Sequence, residues 1–193
     1  IGFLAQNTLK TSKGNTAVGY AAMTSIGTGA ENNVAIGYNA GRAVNNKNNT
    51  FIGTNAGYSN TSNNNTFIGY NAGNKSTGSY NTFIGYNAAG TNSNSGNKNV
   101  AIGDNALGNL RGGEYNVAIG QNALKNLENG SYNVAIGYNA CSEVKGSYKT
   151  CIGANSGPHA GTSAEFLGGL TDSYERTYIG SQPKNYGGDA VLE

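Results

Sequence analysis

Tryptophan is absent from this chain, histidine and methionine occur once each, and only 11% of its 193 residues are charged. Each shortage excludes something. The 12 basic and 10 acidic residues are scattered singly, with no basic stripe to follow a phosphate backbone, so nucleic acid is not an expected partner. No apolar run approaches the roughly 18 residues of a membrane-spanning helix, so no membrane insertion is expected. The start at Ile1, without a methionine or a leader, reads as an excised segment.

Chemistry-bearing groups are equally sparse. Two cysteines, Cys141 and Cys151, are too few for a disulfide framework and lack partners at zinc spacing. They stand in apolar positions and read as small buried hydrophobes rather than as a disulfide. The single histidine, His159, lies beside Pro158 in a glycine-bounded turn with no serine or cysteine to activate, and reads as solvated. Glu165, Asp172 and Glu175 are the densest carboxylates and read as surface charges ahead of a glycan-cleaving pair. Neither G-x-x-x-x-G-K-[ST] nor G-G-x-G-x-D occurs, which excludes a phosphate loop and a calcium-binding β-roll. The expectation is a protein that is not an enzyme and takes no cofactor and no metal.

What the chain has is glycine, 31 residues of it, and a repeat. An Ile/Val-Gly pair recurs at Gly19, Gly37, Gly53, Gly69, Gly85, Gly103, Gly120, Gly137 and Gly153, at intervals of 16 to 18 residues. Gly2 extends the series backwards, whereas Gly180 follows only after 27 residues. Before each glycine stands a branched residue: Val18, Ile36, Ile52, Ile68, Ile84, Ile102, Ile119, Ile136 and Ile152. Two residues earlier stands Thr or Val. These two β-branched columns share one face of a short strand, and we expect the isoleucines to form the repeat core.

The column between them runs Ala17, Ala35, Phe51, Phe67, Phe83, Ala101, Ala118, Ala135, Cys151 and points the other way. A strand apolar on both faces is buried on both. A thin coil covers only one face, so Phe51, Phe67 and Phe83 are expected to face other copies of the chain. Their grouping in three consecutive repeats favours coils stacked in register.

After the glycine, Asn39, Asn55, Asn71, Asn87, Asn105, Asn122, Asn139 and Asn155 form a column suited to turns and to amide ladders from coil to coil. Pairs such as Leu107 and Leu110, or Leu124 and Leu127, read as part of a second strand per turn. Tyrosines fall into two columns. Tyr20, Tyr38, Tyr70, Tyr86 and Tyr138 follow the glycine, while Tyr80, Tyr115, Tyr132 and Tyr148 precede it by five. Tyr38, Tyr70, Tyr86 and Tyr138 are candidates for stacking on sugar rings, although sharing the register of the core favours stacking on one another. The period breaks after Ala154. Residues 1–157 are therefore read as the repeat array and 158–193 as an irregular cap or transition, because the last coil of a solenoid exposes a strand edge.

The octets NVAIGYNA at 33–40 and 133–140 and NTFIGYNA at 81–88 resemble the N-T-A-I-G-Y-N-A array of phage tail fibres. They are also similar to the S-V-A-I-G head repeat of YadA-like trimeric autotransporter adhesins. The resemblance covers about residues 14–157, and the longer period with Tyr-Asn-Ala fits the tail-fibre array better. It implies an all-β, left-handed parallel β-solenoid of 16–18-residue coils, of the β-roll or β-helix kind, assembled as a coaxial homotrimer. It also implies a structural or adhesive fibre segment of a phage or phage-like tail, in the virion or at a cell surface, aimed at a glycan or protein receptor. The alternative it leaves open is a bacterial adhesin head that binds host matrix or glycan. An ice-binding face is a third class. It is disfavoured here because the Thr column is read as facing the core.

Overall fold

The structure is a computed structural model that describes residues 1–5, 12–25, 27–157 and 176–181. Among these residues the chain is all-β, a parallel β-solenoid whose strands form one ten-stranded sheet in chain order. The strands are β1 (Thr16–Val18), β2 (Val34–Ile36), β3 (Thr50–Ile52), β4 (Thr66–Ile68), β5 (Thr82–Ile84), β6 (Val100–Ile102), β7 (Val117–Ile119), β8 (Val134–Ile136), β9 (Lys149–Ile152) and β10 (Arg176–Ile179). Register is kept column by column. Ala35, Phe51, Phe67, Phe83 and Ala101 are successive partners, as are Ile36, Ile52, Ile68, Ile84 and Ile102.

The array extends past the expected boundary at residue 157. β10 pairs with β9, Tyr178 takes the buried column position opposite Cys151, and Gly180 occupies the glycine column. The proposed cap at 158–175 and 182–193, with His159, Glu165, Asp172 and Glu175, lies outside the described residues.

Each coil carries one short strand, not two. The apolar pairs read as a second strand sit in turns. Leu107 and Leu124 have φ of 52° and 50°, and the Asn column just before them is also left-handed, with Asn71 at 54° and Asn105 at 54°. Two left-handed residues two apart cannot continue a strand, and Asn tolerates that conformation better than most residues. Backbone bonding between coils nevertheless continues through the turn, as in Asn71 N–H to Thr54 O and Gly73 N–H to Ala88 O.

The glycine column permits this stacking. Gly69 has φ of 130°, and a Cβ built on it would lie 2.4 Å from the carbonyl oxygen of Gly85. Backbone conformation and space therefore both demand glycine there.

The faces of the strand are reversed from the sequence-based expectation. Phe51, Phe67 and Phe83 are fully buried inside the coil, as are Ala35, Ala101, Ala118 and Ala135. They do not face a second copy. Phe67 and Phe83 stack with ring centroids 4.9 Å apart, and Phe51 packs at 5.6 Å on the other side of Phe67. The isoleucines expected as core point outward instead. Ile36, Ile102, Ile136 and Ile152 are 36 to 41% exposed, and Ile52, Ile68, Ile84 and Ile119 are partly exposed.

The reason is visible in a pairing six residues apart across the coil. Where the strand carries Phe51 or Phe67, the facing turn residue is Gly57 or Gly73, and a Cβ on either glycine would sit 2.3 or 2.6 Å from the ring. Where the strand carries Ala101 or Ala118, the facing residue is Leu107 or Leu124, both fully buried. At this facing pair of positions the interior takes at most one large side chain, on one wall or the other. Only the inward column needs such compensation, so it varies between Phe and Ala while the outward column stays uniformly branched.

Polar groups also hold the core. Asn33, Asn49, Asn65, Asn81, Asn99, Asn116 and Asn133, which open the strands, are buried. Each Oδ1 accepts the backbone N–H of its counterpart in the next coil, as in Asn99 N–H to Asn81 and Asn116 N–H to Asn99, both 2.9 Å. Except at Asn65, their amide N–H groups reach carbonyls across the turn, as from Asn99 to Gly113 at 2.9 Å. Asn meets this demand because it carries donor and acceptor on one short side chain. Lys149 stands where the ladder ends, its backbone N–H given to Asn133.

Candidate functional site

The long sheet presents an outer wall made of two β-branched ranks. One is Thr16, Val34, Thr50, Thr66, Thr82, Val100, Val117, Val134 and Thr150, and the other is the Val18-to-Ile152 rank described above. Parallel in-register pairing lines them up at one strand spacing, about 4.8 Å. The Thr rank thus faces away from the core, and the ground for disfavouring an ice-ordering surface does not hold.

Beyond the glycine bend stands the first tyrosine column. Tyr20 and Tyr38 stack at 5.2 Å with planes 9° apart, Phe3 continues the stack below Tyr20, and Tyr70 and Tyr86 stack at 5.2 Å. The second column behaves alike, with Tyr115, Tyr132 and Tyr148 stacked at 5.0 and 5.3 Å. Stacked rings spend their faces on each other and leave edges and hydroxyls to solvent. Of the four tyrosines singled out for sugar contact, Tyr38 and Tyr70 each keep one face turned toward Thr54, which interrupts the column between them. Tyr86 and Tyr138 are separated by Asp104 and Gln121.

Lys98 interrupts the second column. Its ammonium lies 4.7 Å from the centre of the Tyr115 ring and donates to the Tyr115 hydroxyl at 2.6 Å. That hydrogen bond is the main cause of its pKa standing above the ordinary lysine value.

The Asn column after the glycine forms side-chain bonds at several steps. Asn39 donates to Asn55 at 3.4 Å, Asn55 to Asn71 at 3.2 Å, Asn122 to Asn139 at 3.0 Å and Asn139 to Asn155 at 3.1 Å. Elsewhere the amide turns aside, as Asn105 does to Asp104. A second amide run, Asn109 to Asn126 to Glu143, borders it. Between the two runs lies a shallow polar groove of about 390 Å³ lined by Asn122, Lys125, Asn139 and Glu143.

Cys141 and Cys151 are joined in a disulfide, which corrects the expectation of two free hydrophobes. The turn column of one coil and the strand column of the next, ten residues later, face each other across the core. Gly41 and Phe51 show the same relation, a Cβ on Gly41 falling 2.6 Å from the ring. Two cysteines at that offset are therefore juxtaposed, with Cα atoms 5.8 Å apart.

The buried Asn33-to-Asn133 ladder was passed over in the sequence, although Asn precedes each strand from β1 to β8. The signal for Thr54 was equally plain, a short residue in a column otherwise aromatic from Phe3 to Tyr86. Among the described residues no three His, Cys, Asp or Glu side chains gather as a metal site, and no helix is long and apolar enough to cross a membrane. No family model, no curated protein and no solved structure matches this chain.

Proposed function

We propose that the array is a structural and adhesive fibre segment of a phage or phage-like tail, with a binding rather than a catalytic role. In this reading it assembles as a left-handed, coaxial homotrimer through the outward Thr/Val and Ile wall. The single observation that carries it is that wall. A continuous stripe of branched side chains along the sheet is larger and more regular than the scattered apolar residues of a monomer surface, and such stripes mark interfaces. A second copy offers the same ranks at the same 4.8 Å spacing, so parallel copies mesh along the full length. The disulfide adds support for an oxidising setting, in a virion or at a cell surface. The bacterial adhesin head is the alternative within the same architecture, and its receptor would be host matrix or glycan.

The test is the native mass in solution by light scattering, on the parent and on Ile68→Asp. Three chains in the parent, reduced to a folded single chain by the variant, is the expected result. Phe67→Asp serves as a control for the core and unfolds the coil instead. A monomeric parent removes the trimer. The outward Thr rank favours an ice-ordering surface as a second reading, which thermal hysteresis in a monomeric sample would establish.

A further inference from the structure

The interruption of the tyrosine column at Thr54 carries more than a gap in a stack. Pairing of Ile36 with Ile52 and of Ile52 with Ile68 places Tyr38, Thr54 and Tyr70 in successive coils of one column. Backbone bonds from Asn55 N–H to Tyr38 O at 2.9 Å and from Asn71 N–H to Thr54 O at 3.0 Å hold that alignment beyond the strand. Where adjacent coils both carry aromatics here, the rings lie 5.2 Å apart. Two coil steps therefore set the facing planes of Tyr38 and Tyr70 roughly 10 Å apart. Threonine ends two bonds from the backbone, whereas the tyrosine rings begin there and extend outward, so the space between the rings stays open above it. Tyr38 is 52% and Tyr70 45% exposed.

We propose that Tyr38, Thr54 and Tyr70 form a slot for one pyranose ring of a neutral surface glycan. A ring seated midway lies about 5 Å from each wall, within the range at which ring pairs pack. A puckered pyranose presents C–H groups to both walls and hydroxyls at its rim, whereas an aromatic guest could span the same width but would leave the floor hydroxyl unused. The floor offers a hydroxyl for the sugar's own hydroxyls. One residue further along the chain, the Asn39, Asn55 and Asn71 amides spend one N–H each at most on the ladder between them. From Phe3 to Tyr86 the column contains no charged residue, which suits a neutral guest. The other interruption lacks these features. Asp104 and Gln121 separate Tyr86 from Tyr138 by three coil steps, about 15 Å, over a charged floor.

The slot rests on the adhesive reading for its biological role, and its test is separate from that reading. The experiment is saturation-transfer NMR on the intact chain, irradiating aromatic protons in the presence of methyl β-glucopyranoside, methyl β-galactopyranoside or methyl N-acetyl-β-glucosaminide. Transfer to the ring C–H protons of at least one glycoside is expected. Thr54→Tyr completes the column, keeps or raises thermal stability, and lowers that transfer about tenfold, as does Tyr70→Ala. No transfer from the parent, transfer undiminished in Thr54→Tyr, or preferential binding of indole each overturns the slot. A trimeric sample that binds none of the sugars refutes the slot and leaves the fibre intact, while a monomer that binds does the reverse.

Discussion

The reciprocity between strand and turn residues makes a quantitative prediction at Phe83 and Ala89, where the Phe-bearing coils meet the Leu-bearing ones. Phe83 is fully buried and stacked on Phe67, and Ala89, six residues on, is buried with a φ of 46°. Phe83→Ala empties the coil and is expected to cost about 3 to 5 kcal/mol. Ala89→Leu alone drives extra carbons toward the Phe83 ring and costs about 1 to 3 kcal/mol. Together the two substitutions recreate the Ala101–Leu107 arrangement of the next coil, whose Leu already occupies the left-handed conformation. The double variant loses mainly the stack on Phe67, about 1 kcal/mol. Its cost therefore falls at least about 3 kcal/mol below the sum of the singles, a favourable coupling at the upper end of those seen between touching residues. Urea melts followed by circular dichroism read this directly, because adding Ala89→Leu to Phe83→Ala should raise the midpoint back toward the parent's, although the same substitution lowers it in the parent. Additive effects would refute the rule of at most one large side chain at this facing pair.

Three further outcomes are expected. Gly69→Ala forces a Cβ toward the Gly85 carbonyl at a φ only glycine favours, and is expected to destabilise by about 3 kcal/mol or more in the same melt. Reduction of Cys141–Cys151, which closes a ten-residue separation, is expected to cost roughly 2.5 to 3 kcal/mol. Melting with and without reductant, alongside mass spectrometry of alkylated thiols, tests it, and two alkylated cysteines in unreduced protein would disprove the bond. Asn99→Ala leaves the Asn116 N–H and the Gly113 carbonyl buried without their partner and costs about 2 to 4 kcal/mol. Hydrogen exchange should show Asn116 among the amides that lose most protection.

Most of the fold could be read from periodicity. The interval between Ile-Gly pairs marked the coils, alternation around Ala35 or Phe67 marked the strands, and three adjacent Phe marked the stacking register, all of which recur in the sheet. Gly180 looked isolated because 27 residues separate it from Gly153, yet β10 returns to the same sheet. Sequence distance does not limit where a strand edge finds its partner. The second strand per coil was misread because a short apolar pair such as Leu107 and Leu110 looks like strand material, whereas left-handed residues turn the chain without removing Leu from the core.

Sequence by itself determined the repeat, the strand columns, the glycine bends and the in-register stacking, since each depends on local geometry and on identical neighbours one coil away. Only tertiary structure decided which face of the strand turned inward. Both faces are apolar, so hydrophobicity does not choose between them. The choice follows from volume, because Phe67 fits inside only where Gly73 makes room, and the branched rank, needing no such partner, is left outside. The same long-range closure decided the disulfide and the Thr54 slot, whose members lie 10 to 32 residues apart along the chain and meet only because the coils stack.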